Sequence, residues 1–148
     1  MVPTNISAAQ RFVELATGGP APTMAALAQC VDELALSYHG TPFGNPSESD
    51  DEPPEIRATY SEIAARFPEF GHYGTVFGID VPGEVVVGDA IDDILDITND
   101  LKEVLWRFDN LGADDSHWYF RFLFQMHWGE HLRGLANYLY WRLRYEQD

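Results

Sequence analysis

Apolar residues recur at spacings of three and four along most of this chain, the period of helices with one buried face. Met24, Leu27, Val31, Leu34 and Tyr38 form such a stripe. Thr23 stands where an N-cap belongs, and His39-Gly40-Thr41-Pro42 closes the helix. A shorter helix, Ser7 to Ala16, precedes it and ends at Gly18-Gly19-Pro20. Ile56, Tyr60, Ile63 and Phe67 predict a third helix from Glu55 to Phe67, stopped by Pro68. The clearest stripe is Ile91, Ile94, Leu95, Thr98, Leu101, Leu105 and Phe108, in a helix from Asp89 to Phe108. After the break at Asn110–Ala113, Asp114, Asp115 or Ser116 can cap a final helix reaching about Tyr145. With no internal proline, it would be a rod of roughly 45 Å.

The pattern lapses twice. Residues 44–54 (GNPSESDDEPP) are acidic, rich in Pro and Ser, and read as a flexible linker. Residues 68–88 carry Gly and Pro around short runs, Thr75-Val76-Phe77 and Val85-Val86-Val87. A long ordered loop is expected there rather than a hairpin, because an isolated hairpin is marginal. The expected fold is therefore all-α: one domain over residues 1–148, an antiparallel four-helix-type bundle with a short extra N-terminal helix. Ten aromatics between Trp118 and Tyr145 fall on nearly every side of the last helix. That makes it the expected central element.

Charge narrows the partners. The 148 residues carry a formal net charge of −15. Nucleic acid and anionic membrane surfaces are poor partners for such a chain, while a basic protein partner suits it. Residues 1–120 carry −16 and residues 121–148 carry +1. A single cysteine, Cys30, rules out a disulfide within the chain and a thiolate zinc cluster, and suits a small core residue. The N-terminus lacks a basic stretch followed by an apolar run, and no window is apolar enough to span a bilayer. A cytoplasmic protein is expected.

Two segments carry candidate chemistry. Asp89, Asp92, Asp93, Asp96, Asp100 and Glu103 look like a carboxylate ladder on the fourth helix. At about 100° per residue, Asp89, Asp96, Asp100 and Glu103 point away from the apolar stripe, with Asp92 and Asp93 on its flanks. They are expected to form a solvated face. His127-Trp128-Gly129-Glu130-His131 has the H-x-x-E-H spacing of a class of zinc hydrolase. His127 and His131 could hold one divalent ion such as zinc, with Glu130 as general base. A third ligand is missing from that helix, since Glu146 lies about 22 Å along it. Asp92 or His72 are the nearest candidates elsewhere, and Asp96 or Asp100 qualify only if the acidic face turns inward. The plainer reading makes both histidines polar residues of an aromatic core, with Gly129 and Gly134 admitting a neighbouring element. A further alternative is a small-ligand pocket lined by His127, Trp128, His131 and Tyr138. Near Arg142 and Arg144, an exposed Trp141 or Tyr145 would form a contact patch.

Two blocks also carry a resemblance. One runs from Gly88 through Asp89-Ala90-Ile91-Asp92-Asp93-Ile94-Leu95-Asp96-Ile97 to Asp100-Leu101-Lys102. The other runs from Phe120-Arg121-Phe122 to His131. Together they resemble a family of small bacterial proteins described only as a domain of unknown function. In that family a D-D-x-x-D-I-x-x-D-L-K helix precedes an F-x-x-H-W-G-x-H helix. The resemblance covers about residues 85–140; Thr98-Asn99 stand where the family pattern has an aromatic and a base. It implies a helical fold and a bacterial origin, and it supplies no activity. It also suggests that the Asp96 and Asp100 side of the fourth helix faces His127. The leading expectation is a non-enzymatic, acidic helical interaction protein, of the kind that neutralises a toxin or inhibits an enzyme, with no catalytic residue and no cofactor. A metal-dependent hydrolase and a small-ligand-binding bundle are the alternatives.

Overall fold

The computed structural model describes residues 3–55 and 57–146. Its helices are α1 (Asn5–Thr17), α2 (Met24–His39), α3 (Tyr60–Arg66), α4 (Ala90–Leu111), α5 (Ala113–Leu123) and α6 (Gly129–Tyr145). Strands β1 (His72–Val76) and β2 (Val85–Asp89) lie between α3 and α4. A π-helical turn, Phe124–Trp128, joins α5 to α6 without a break in helical dihedrals. The protein is thus mostly helical, with one small sheet.

Threonines start the first three helices. The side chains of Thr4, Thr23 and Thr59 accept from the backbone N–H three residues on, satisfying donors the helix leaves unpaired. The third helix is shorter than its apolar stripe predicted; Ile56, part of that stripe, lies outside the described residues. Residues 57–59 are held instead by Asn99, whose side chain pairs with both backbone groups of Ala58.

The centre of the fold is α4, not the final helix. Ile94, Ile97, Leu101 and Val104 are fully buried, and α4 packs against α1, α3, α5 and α6. The final rod keeps large residues in water, including Met126, Tyr140, Trp141 and Tyr145. Its aromatic surplus is only partly core filling: Phe120 and Trp128 are buried, while Trp141 and Tyr145 stack on each other at the surface. No side chain caps α5. Asp115 is buried and accepts from the Ser47 backbone and Arg107, and Ser116 donates to the Val104 carbonyl. Both were expected as caps and instead tie α5 to its surroundings.

Residues 72–89 form a hairpin rather than a loop, with His72 opposite Asp89 and Val76 opposite Val85. The objection to an isolated hairpin fails because this one is anchored. Gly71 accepts from the Ala90 N–H, and β2 runs straight into α4, with Asp89 serving as the N-cap. Tyr73 of β1 packs against Tyr138 and bonds through its hydroxyl to Asp93. A Cβ on either Gly88 or Gly134 would come within 2.5 Å of Tyr73, so both glycines leave the slot that ring occupies. Among the described residues, no helix is long and apolar enough to cross a membrane.

Candidate metal centre

Asp93, Asp96 and Asp100 follow one another along α4 at i, i+3 and i+7, and so share an edge of the helix. His127 and His131 share an edge of the final helix in the same way. The two edges meet. His127 Nδ1 lies 2.7 Å from Asp100 Oδ2, and His131 Nδ1 lies 2.7 Å from Asp93 Oδ1. On the other side of each ring, Nε2 faces Asp96 Oδ2, at 3.0 Å from His131 and 3.8 Å from His127. One ligand atom each from Asp96, His127 and His131 fall within 4.8 Å of one another.

This arrangement corrects three expectations. The carboxylates do not form a solvated outward face: Asp93 is buried, and Asp96 and Asp100 are half-buried against the histidines. Nor do the histidines enter the aromatic core; His127 is 44% exposed and His131 half-buried. The third acid beside them is Asp96, one turn past Asp92. His72 sits at the start of the hairpin, 3.6 Å from Asp89, and takes no part.

The π-helical turn explains why helical periodicity misplaced the histidines. It inserts one residue, so Phe120 and Trp128 both reach the core while His127 emerges at the edge. The Gly129 N–H bonds to the Phe124 carbonyl, five residues back. A Cβ on Gly129 would sit 2.4 Å from that oxygen. The close approach made by Gly129 is thus to its own helix; Gly134 is the glycine that admits a neighbour, Tyr73.

Among the described residues, His127, Trp128, His131 and Tyr138, expected to line a small-ligand pocket, do not gather around one space. Trp128 is fully buried, turned away from His127 against Phe120 and Phe124. The Tyr138 hydroxyl accepts from the Gly71 N–H and bonds Arg142, on the far side of the hairpin base.

Electrostatics follow from the geometry. A carboxylate only accepts, so Asp93 and Asp100 place a proton on Nδ1 of each ring and leave Nε2 toward Asp96. Two acceptors 3.0 Å apart need a shared proton or a metal ion between them. Accordingly the Asp93 hydrogen bond, helped by Asp96 and opposed by burial, holds His131 above the ordinary histidine value. Burial pushes Asp100 up despite His127 beside it, and burial with the Asp96 carboxylate raises Asp92. Burial and Asp93 push the Tyr73 phenol well up, keeping it a donor.

Two imidazoles and one carboxylate, each imidazole backed by a further carboxylate, are a donor set suited to divalent zinc, iron or manganese. Bound at about 2 Å, tetrahedral ligand atoms stand about 3.3 Å apart, close to the two separations from Asp96. Glu130 is among the residues that line a cleft beside His131, and Glu146 pairs with Arg142, far from the centre.

The fold and this cluster define a mostly helical domain with one polar seam. The sequence profile of a family described as a domain of unknown function (DUF5063) matches residues 24–143. The chain belongs to that family. A solved structure, protein BF1032 from Bacteroides fragilis, a structural-genomics target, is similar at a TM-score of 0.72 and 16% identity. The match covers 97% of this chain and 92% of that one and speaks for the fold alone. No curated protein matches the chain.

Proposed function

We propose that this protein binds one divalent transition-metal ion through Asp96, His127 and His131, and uses it to activate water. The observation that carries the reading is Asp96 facing Nε2 of both histidines while Asp93 and Asp100 hold their Nδ1 atoms. Removing such backing carboxylates typically costs about 10- to 100-fold in metal affinity. Three protein ligands leave a position for water, whose pKa falls toward about 7 on zinc. The reaction class is hydrolysis of a carbonyl compound. Asp96, His127 and His131 would hold the ion, which would act as a Lewis acid for adding water across a carbonyl C–N or C–O bond; that bond would break, and the amine or alcohol would leave with the water's proton. Metal analysis of protein purified without a His tag, followed by zinc titration, tests this. About one equivalent should bind, and His127→Ala should abolish it with the fold retained. A wild-type protein that takes up no zinc, manganese or iron contradicts the reading.

A second reading, an interaction protein for a basic partner, draws on the −15 charge and the exposed acids Glu48, Asp50, Asp51 and Glu52. It predicts a stoichiometric partner recovered from native lysate at low salt and released at moderate salt. Recovery at neither salt counts against it.

A further inference from the structure

A cleft of about 670 Å³ lies between the hairpin and the seam of α4 and α6, with His131 in its wall. That size suits a small organic ligand. The hairpin contributes two aromatic rings, Tyr73 and Phe77, and the Phe77 ring is largely exposed. The helical side and its N-cap contribute four carboxylates, Asp89, Asp92, Asp93 and Glu130, against two basic groups, His131 and Arg133.

Two of those carboxylates are already committed. Asp89 caps α4, accepts from the Tyr60 hydroxyl and faces His72. Asp93 serves Tyr73 and His131. The other two are available. Glu130 is exposed and makes no side-chain hydrogen bond or ion pair among the described residues. Asp92 has only the Asp96 carboxylate as its side-chain hydrogen-bond neighbour. Both open into the space walled by Phe77.

We infer that this cleft binds an organic cation, a guanidinium or primary ammonium on an apolar body. Asp92 and Glu130 are its acceptors, and Phe77 with Tyr73 forms its aromatic wall. Carboxylates lining a concave surface concentrate negative potential there. The face of an aromatic ring attracts the same charge. An anionic ligand would meet four carboxylates against His131 and Arg133. As a substrate site the assignment rests on the metal reading, because His131 belongs to both. As a binding site it stands without metal.

The test separates the two. Metal-free protein is titrated by NMR with benzylguanidinium, which does not ligate metals, with its neutral isostere benzylurea, and with phenylacetate. Benzylguanidinium should bind about 10-fold or more tightly than benzylurea and shift the Phe77 ring signals. Phenylacetate should produce no shift. The Asp92→Asn/Glu130→Gln protein should lose the preference, and Phe77→Ala, at an exposed site, should weaken binding without unfolding. Equal binding of the charged and neutral probes, binding of phenylacetate, absence of binding by all three, or a preference that survives the double substitution would each overturn the assignment. Zinc titration of the same sample reads the metal centre separately.

Discussion

Four acids stand between Glu48 and Glu52, and four between Asp92 and Asp100, with opposite outcomes. The first group is exposed, and among the described residues none of its carboxylates holds a hydrogen bond; the local bonds come from Ser47 and Ser49. In the second group Asp93 and Asp100 each bond a histidine, Asp96 faces two, and Asp92 neighbours Asp96. Density of charge is therefore not what makes a site. The α4 carboxylates sit on a rigid repeat opposite a second rigid repeat that carries bases. The loop offers neither.

Removing a proposed ligand should separate the two groups of acids most. Asp96→Asn should lower zinc affinity by more than about 100-fold, a larger loss than backing residues give. Neutralising Glu48, Asp50, Asp51 and Glu52 together should leave that affinity unchanged; calorimetry on both proteins decides. If the loop variant loses zinc and Asp96→Asn keeps it, the assignment is reversed.

Smaller effects sharpen it. Asp93→Asn and Asp100→Asn should each reduce zinc affinity about 10- to 100-fold while keeping a 1:1 stoichiometry. Gly129→Ala puts a methyl against the Phe124 carbonyl. It should cost about 1–3 kcal/mol in urea unfolding and weaken zinc several-fold, because the same turn positions His127. Unchanged zinc binding in a destabilised Gly129→Ala protein would separate the turn from the centre.

The smallest effect concerns a histidine outside the seam. His117 bonds to the buried Asn5 side chain, and burial lowers its pKa from the ordinary 6.5. The unfolded chain then takes a proton first as pH falls, so His117 should make stability decline as pH drops through about 6.5. His117→Gln should flatten that part of the profile in urea melts at pH 7.5 and 5.5. An identical slope in both proteins would contradict it.

The helices were legible because their apolar stripes, and for α2 the Thr23 cap, are local signals; the Thr4 and Thr59 caps went unread. The Asp89–Phe108 stripe became α4 with small changes at its ends. The two runs of the hairpin were visible, but a loop was favoured because its anchors, Tyr73 on Asp93 and Gly71 on Ala90, are distant contacts. Half of the centre was visible in the spacing of His127 and His131. Asp96 stood as a candidate only if the acidic face turned inward, because a wheel drawn around α4 marks the middle of its buried face, not the edge where a polar seam can lie. The π-helical turn compounded the miss: its inserted residue rotates α6 against α5, and a uniform period cannot register it. The signal that pointed correctly was the pairing of the acidic block with the His-Trp-Gly block, which implied that the two faces meet.

The central claim is most directly tested by titrating cobalt(II) into the metal-free protein and following its visible spectrum. A saturating band at one equivalent, displaced by zinc and missing in His131→Ala, is the predicted result. A spectrum that stays that of aqueous cobalt(II), or a band that persists in His131→Ala, would contradict it.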